Sequence, residues 1–427
     1  MFERSTLAGG PRVISAQLPS RSLSVAYYVL AGSRHEADAE WGVAHFMEHL
    51  TFKGTAALPD SRAVADAVEA HGGTCNAATD RESTVYWVRL PLREAERAFD
   101  VLAELTVRPL LRARDIERER GIIVEEIRSY RDDPAQYVFN LFDEAFYGGA
   151  TSLGREIAGS EDSVRALDEP LLRDFWSRAY RPERGVVAVA GDIDHATARD
   201  LVARAFLDGS AAGNGEQPPF PTYEPAPALP ASRLRVERRS CAQAHICLGL
   251  PALPRDHPDQ WALEVLNAVL GEGSASRLFL NVREAAGLAY DVHSFQSDLA
   301  DCGSLQVYAG VDPADQAAAL EAILVELRRL RDESIPPDEL ARARAYVSGR
   351  LELRLEESRH VCAWLGIQEA LHDRVLTLDQ ALSELAAVTS DQLQSLAQRL
   401  IRDEALCMAV ITPSRATARL ERALRLT

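Results

Sequence analysis

The feature that most constrains this chain is that it carries the same run of elements twice. In the first half "LSVAYYVLAGSRHE" reads as a strand and "WGVAHFMEHLTFKG" as a buried helix; "CNAATDRESTVYWVRLPLREAERAFDVLAELTVRPL" then reads as two strands and an amphipathic helix. The second half repeats that order in "AHICLGLPAL", "WALEVLNAVLGEG" and "YDVHSFQSDLADCGSLQVYAGVDPADQAAALEAILVELRRL". Two long charged helices follow at matching places, "RARDIERERGIIVEEIRSYRDDP" and "IPPDELARARAYVSGRLELRLEES". Between the halves, residues 208–232 replace periodic apolar positions with Gly, Ser and Pro, a composition that supports neither helix nor interior strand. The expectation is an α+β chain built from two homologous repeats: a domain over 1–207, a linker over 208–232 and a second domain over 233–427.

Composition narrows the function classes. At 427 residues, 47% apolar, the chain has material for more than one core. Its formal charge of −17, with no local Lys/Arg cluster, repels nucleic acid and anionic lipid. The N-terminus has charges at residues 3 and 4 and no apolar run of signal-peptide length, and no later stretch is apolar enough to span a bilayer. A cytoplasmic protein without nucleic-acid or membrane partners is expected. The six cysteines are scattered, which argues against a disulfide framework and against a cysteine-based zinc site.

The chemistry concentrates in "HFMEH". On a helix, His45 and His49 lie one turn apart on one face, so both imidazoles can reach one ion, and Glu48 sits beside them. Zinc needs a third protein ligand if it is to keep one position for water. The helix "DIERERGIIVEEIRSYRDDP" offers Glu119 and Glu126, seven apart and so on one face, while Glu125 points elsewhere. On an arbitrary charged helix, Glu119 and Glu126 better suit pairing with nearby arginines such as Arg120 and Arg128. The duplication weighs on this choice: the second half has "EVLNA" in place of "HFMEH", and aligning Asp115 with Asp338 sets Gly349 opposite Glu126. The frame is kept without its polar groups, which favours chemistry over folding as their purpose.

On these motifs, and on "AGSRHE", "GGTCNAATDRESTVYW", "YRPERGVVAVAGDID" and "GEGSASRLFLNVREAAGLAY", the chain resembles the inverted-motif zinc peptidases. This is the pitrilysin-type (M16) family, which includes insulin-degrading enzyme and the mitochondrial processing peptidase; the short bacterial members are most similar. The resemblance implies α/β-sandwich repeats of the LuxS/MPP-like metallohydrolase type. It also implies a Zn²⁺ cofactor on His45, His49 and Glu126, Glu48 as general base on zinc-bound water, and Glu119 as an additional glutamate near the site. In "VREAAGLAY" the family's substrate-binding Arg and Tyr fall on Arg283 and Tyr290. In "GGTCNAATDRESTVY" its substrate-facing edge strand falls on Asn76 and Ala77, although Gly72, Gly73 and Asn76 equally mark an ordinary turn into a strand.

The resemblance thus implies a zinc endopeptidase acting on unstructured peptides inside a chamber enclosed by a homodimer. Two other readings stand beside it: a non-catalytic interaction subunit, and one half of a hetero-oligomeric peptidase that works only with a partner chain.

Overall fold

The strand β3, Ser22–Val29, shows how the first sheet forms. Leu23, Val25, Tyr27 and Val29 pack on one face and Ser24, Ala26 and Tyr28 on the other, and all seven are buried. A strand buried on both sides needs cover on both sides. In the computed structural model, which describes residues 2–207, 223–415 and 417–426, that cover comes from helices. The chain divides into two compact units. One is Met1–Arg128, Glu156–Tyr223 and Leu353–Thr377; the other is Ser129–Arg155, Glu224–Glu352 and Leu378–Thr427.

The first unit holds β1 (Glu3–Thr6), β2 (Arg12–Gln17), β3, β4 (Thr74–Thr79), β5 (Thr84–Pro91) and β6 (Val186–Gly191), ordered β1-β2-β6-β3-β5-β4. Only β2 and β6 pair in parallel. One face packs against the helices Val43–Thr51, Ala95–Val107 and Ala113–Asp132, among others. The opposite face, with Ile14, Ala26, Tyr28 and Ala188, is covered by Val361, Cys362 and Leu365 of the helix Ser358–Leu371.

The second unit holds β7 (Leu234–Arg238), β8 (Ala244–Ala252), β9 (Ala289–Asp298), β10 (Gly303–Val311) and β11 (Cys407–Thr412), ordered β7-β11-β8-β10-β9. Again a single pair, β7 with β11, is parallel. This is the order and sense of β2-β6-β3-β5-β4, so the duplication seen in the sequence is one of topology as well. One face packs against Gln260–Leu270, Gln316–Asp332 and Ser390–Leu400; the other is covered by Val138, Leu141 and Phe142 of the helix Pro134–Asp143.

Each unit therefore takes its second covering helix from the opposite half of the sequence. This interleaving is finer than a contiguous division into 1–207 and 233–427. Composition marks a connector but carries no information about which sheet a helix will cover. Most of that connector, residues 208–222, lies outside the described residues. Among the described residues no cysteine is in a disulfide, and Cys247, Cys362 and Cys407 are buried. Among the described residues no helix is long and apolar enough to cross a membrane.

Candidate metal centre

The helix Val43–Thr51 has two stripes. Val43, Ala44, Phe46, Met47, Leu50 and Thr51 are buried in the core, which leaves His45, Glu48 and His49 on the remaining face. Burying Phe46 alone contributes about 1.5–3 kcal/mol to fixing that rotation. The helix begins at Gly42, whose φ of +91° is a left-handed conformation that a side chain would strain. Its first amides are closed by Glu36, whose carboxylate accepts from Gly42 N and Ala44 N, each at 2.8 Å. An anion at this end also complements the helix dipole.

The helix Ala113–Asp132 brings the carboxylates. Ile116, Glu119, Ile123 and Ile127 form its buried stripe, so Glu119 faces inward at 1% exposure. Glu126, two turns beyond Glu119, meets both imidazoles: Oε2 lies 3.3 Å from His49 Nε2 and Oε1 lies 3.8 Å from His45 Nε2. The arginines that could have claimed these carboxylates are engaged elsewhere, Arg120 with Glu117 and Arg128 with Glu125 and Glu161.

The donor atoms of His45, His49 and Glu126 all lie within 4.8 Å of one another. Among the described residues this is the one such group of His, Cys, Asp or Glu. Donors at about 2.0–2.2 Å from one tetrahedral ion sit about 3.3–3.6 Å apart, so the spacing and the donor types both fit Zn²⁺. His45 is held neutral, its pKa lowered to about 4 by burial and by His49 against the opposing pull of Glu126. For His49 burial also works downward, but the hydrogen bonds it donates to Glu119 and Glu126 outweigh it and raise the pKa to about 9. Glu126 itself is held below the usual carboxylate range, chiefly by His49.

Around these three, further contacts orient the site. Glu119 Oε2 lies 3.4 Å from His49 Nδ1 and 3.0 Å from Lys53 Nζ. Burial alone would push the Glu119 pKa up, but the bonds to His49 and Lys53 leave it lowered. Glu48 Oε2 accepts from Thr79 Oγ1 at 2.5 Å. Burial raises the Glu48 pKa, with Thr79 and His49 pulling against it. That combination suits a group that must take up and release a proton. Sequence reasoning missed Glu36, Lys53 and Thr79. Of these only Lys53, one turn beyond His49, had a signal in its helical spacing.

β4 ends the first sheet, as expected of an edge strand. Its side chains alternate, with Cys75, Ala77 and Thr79 partly buried and Asn76 exposed. Cys75 and Ala77 pack against the core, and burial pushes the Cys75 thiol up to about 12. In the second unit Arg283 and Tyr290 come together, the guanidinium carbon lying 5.4 Å from the centre of the Tyr290 ring. Tyr290 is 76% exposed, on the edge strand β9.

Fold and donor set define a class: a duplicated α+β protein whose described residues include one group able to hold a divalent metal, with the Glu48 carboxylate beside it. Comparison with known proteins makes this specific. Residues 12–161 match the profile "Insulinase (Peptidase family M16)" and residues 167–347 the profile "Peptidase M16 inactive domain". An "uncharacterized zinc protease" of Streptomyces coelicolor is 36% identical over 93% of this chain and 87% of its own length. One from Bacillus subtilis is 33% identical over 97% and 99%. The mitochondrial-processing peptidase subunit beta of Bos taurus is 28% identical over 95% and 83%. Among solved structures, a protease from Helicobacter pylori superposes with a TM-score of 0.90 at 24% identity, covering 97% of this chain and 100% of that one. The chain belongs to peptidase family M16.

Proposed function

We propose that this protein is a zinc-dependent endopeptidase of the cytoplasm that hydrolyses unstructured peptides. The observation that carries the reading is the convergence of His45, His49 and Glu126 with Glu48 one position from a ligand. Similarity to proteins named zinc proteases supports it. His45, His49 and Glu126 would hold the ion. When bound, zinc supplies Lewis acidity, polarising the scissile carbonyl and lowering the pKa of a bound water toward about 7.

The chain's own residues handle the protons. The Glu48 carboxylate takes one from water as the water oxygen bonds to the carbonyl carbon; it then gives that proton to the amine nitrogen as the carbon–nitrogen bond breaks. Glu119, itself held by Lys53, fixes the His49 ring through Nδ1. The open edge of β4, at Asn76 and Ala77, would receive the peptide backbone as an added strand. Arg283 and Tyr290 would bind the substrate.

A homodimer enclosing a chamber fits a two-repeat chain that carries both the metal set and the Arg/Tyr pair. The similarity to a protein named as one subunit of a processing peptidase favours a second reading, activity only beside a different chain. Metal content and cleavage of a peptide panel, with and without chelator, test the proposal. Glu48→Gln is expected to keep zinc and lose hydrolysis. Retained turnover in that variant removes Glu48 from the base role, and cleavage that begins only when a second chain is added selects the heteromeric reading.

A further inference from the structure

The Thr79 contact with Glu48 has a geometry beyond a simple tether. At the β4–β5 turn Asp80 N donates to Ser83 O at 2.8 Å, so Asp80 and Ser83 form a bonded pair. Bonded and non-bonded pairs alternate in an antiparallel ladder, which makes Ala78–Val85 and Asn76–Trp87 bonded pairs as well. Cys75, Ala77 and Thr79 therefore turn their backbone groups toward the open edge. Two observations agree with this. Ala77 N is capped by the Asn76 side chain, Oδ1 at 2.9 Å, instead of by β5. The Glu48 carboxylate accepts from Thr79 Oγ1 at 2.5 Å, and the Thr79 backbone amide also works to lower its pKa.

Glu48 thus occupies the place on the β4 edge where a neighbouring strand would bond to Thr79. A peptide paired with Cys75 and Ala77 would meet the Glu48 carboxylate two residues further on, about 7 Å along the strand. The hairpin end is fixed in turn: Ser33 N donates to Asp80 O, Arg34 N to Arg81 O, and buried Arg34 pairs with Glu82 at 2.7 Å. At Gly32 an added Cβ would lie 2.1 Å from Asp80 O, so the segment and the hairpin approach too closely for a side chain.

We propose that Thr79 is a positioning residue that locks Glu48 at the end of the open β4 edge, so that the cleaved bond is chosen by backbone register counted from Ala77. This rests on Glu48 acting as the base and on β4 receiving the peptide. The two conservative variants Thr79→Val and Thr79→Ser test it, with zinc content and melting curves confirming folded, loaded protein.

Thr79→Val, which keeps the β-branched shape and removes the hydroxyl, is expected to lower kcat about 10- to 100-fold with KM unchanged. Mass spectrometry of a synthetic unstructured peptide should show cleavage spreading from one bond to its neighbours. Thr79→Ser should restore both the rate and the single site. Unchanged kcat and an unchanged cleavage site in Thr79→Val, with Glu48→Gln inactive, would overturn the inference and leave the peptidase reading standing. An active Glu48→Gln enzyme would overturn the reading beneath it.

Discussion

Replacing Arg34 tests how firmly the β4–β5 hairpin is held. Its side chain is fully buried, its Nη1 lies 2.7 Å from Glu82 Oε1, and Glu82 is itself 5% exposed. The guanidinium carbon also sits 3.7 Å from the centre of the Tyr223 ring. Arg34→Met leaves the Glu82 carboxylate in the interior without its guanidinium, which costs about 3–5 kcal/mol. The lost cation–π contact lies within that range, at up to about 2 kcal/mol for a desolvated pair. Glu82→Leu takes the carboxylate away from the buried guanidinium, at a similar cost of about 3–5 kcal/mol. The double variant buries no charge, and such replacements are often neutral. The two losses should therefore fail to add by about 2–3 kcal/mol or more. Urea unfolding followed by tryptophan fluorescence suits the measurement, because Trp41, Trp87, Trp176 and Trp364 all lie in this unit. Single variants that each cost under about 1 kcal/mol, or a double variant equal to their sum, would refute the argument that a buried pair secures the hairpin.

Two further outcomes are expected. At Gly366, on the helix covering the first sheet, an added Cβ would lie 2.2 Å from Tyr28 Cε2 and 2.9 Å from Ala188 Cβ. Overpacking here should make Gly366→Ala destabilising by about 1–3 kcal/mol despite the better helix former, read as a lower denaturation midpoint. His35 has its pKa lowered to about 4, first by burial and further by Arg34, with Glu82 and the Gly32 backbone opposing. The unfolded chain takes up a proton near pH 6.5 that the folded chain refuses until about pH 4. Stability is therefore whole above pH 6.5 and falls as pH drops toward 4, by at most about 1.4 kcal/mol per unit. His35→Asn should flatten that slope between pH 6.5 and 4; an unchanged slope assigns the loss to other groups.

The duplication is legible in the sequence because period-2 and period-3.6 patterns recur in the same order, and the two sheets repeat one topology. The spacing of His45, Glu48 and His49 is legible for the same reason, since helical geometry alone puts them on one face. Glu126 is less so. The sequence says that it shares a face with Glu119, but only packing decides whether a carboxylate 77 residues from His49 meets imidazoles or arginines. Thr79 and Glu36 are out of reach because each acts on a neighbour defined by tertiary contact, and the helical spacing that puts Lys53 near His49 does not say that it meets Glu119. The exchange of covering helices escapes for a related reason: Ser358–Leu371 and Pro134–Asp143 carry apolar faces that say they must be buried, not against which sheet.

The second repeat shows what the scaffold does without the chemistry. The turn contact from Leu299 N to Cys302 O matches that from Asp80 N to Ser83 O, an offset of 219 residues that also carries Glu48 to Asn267. Asn267 is buried at 4% and accepts from Ser294 Oγ at 2.6 Å, so a strand hydroxyl again meets the helix residue at the place Glu48 has in the first repeat. By the same offset, however, Ser294 corresponds to Cys75, and the counterpart of Thr79 is Asp298. In the second repeat the tie falls mid-strand on a neutral amide, which can be fully buried once its hydrogen bonds are satisfied. In the first it has moved to the end of the strand and holds the Glu48 carboxylate. A contact inherited unchanged from the common fold would occupy the same register in both copies. The shift by four residues ties the placement of the Thr79 hydroxyl to Glu48 rather than to strand–helix packing.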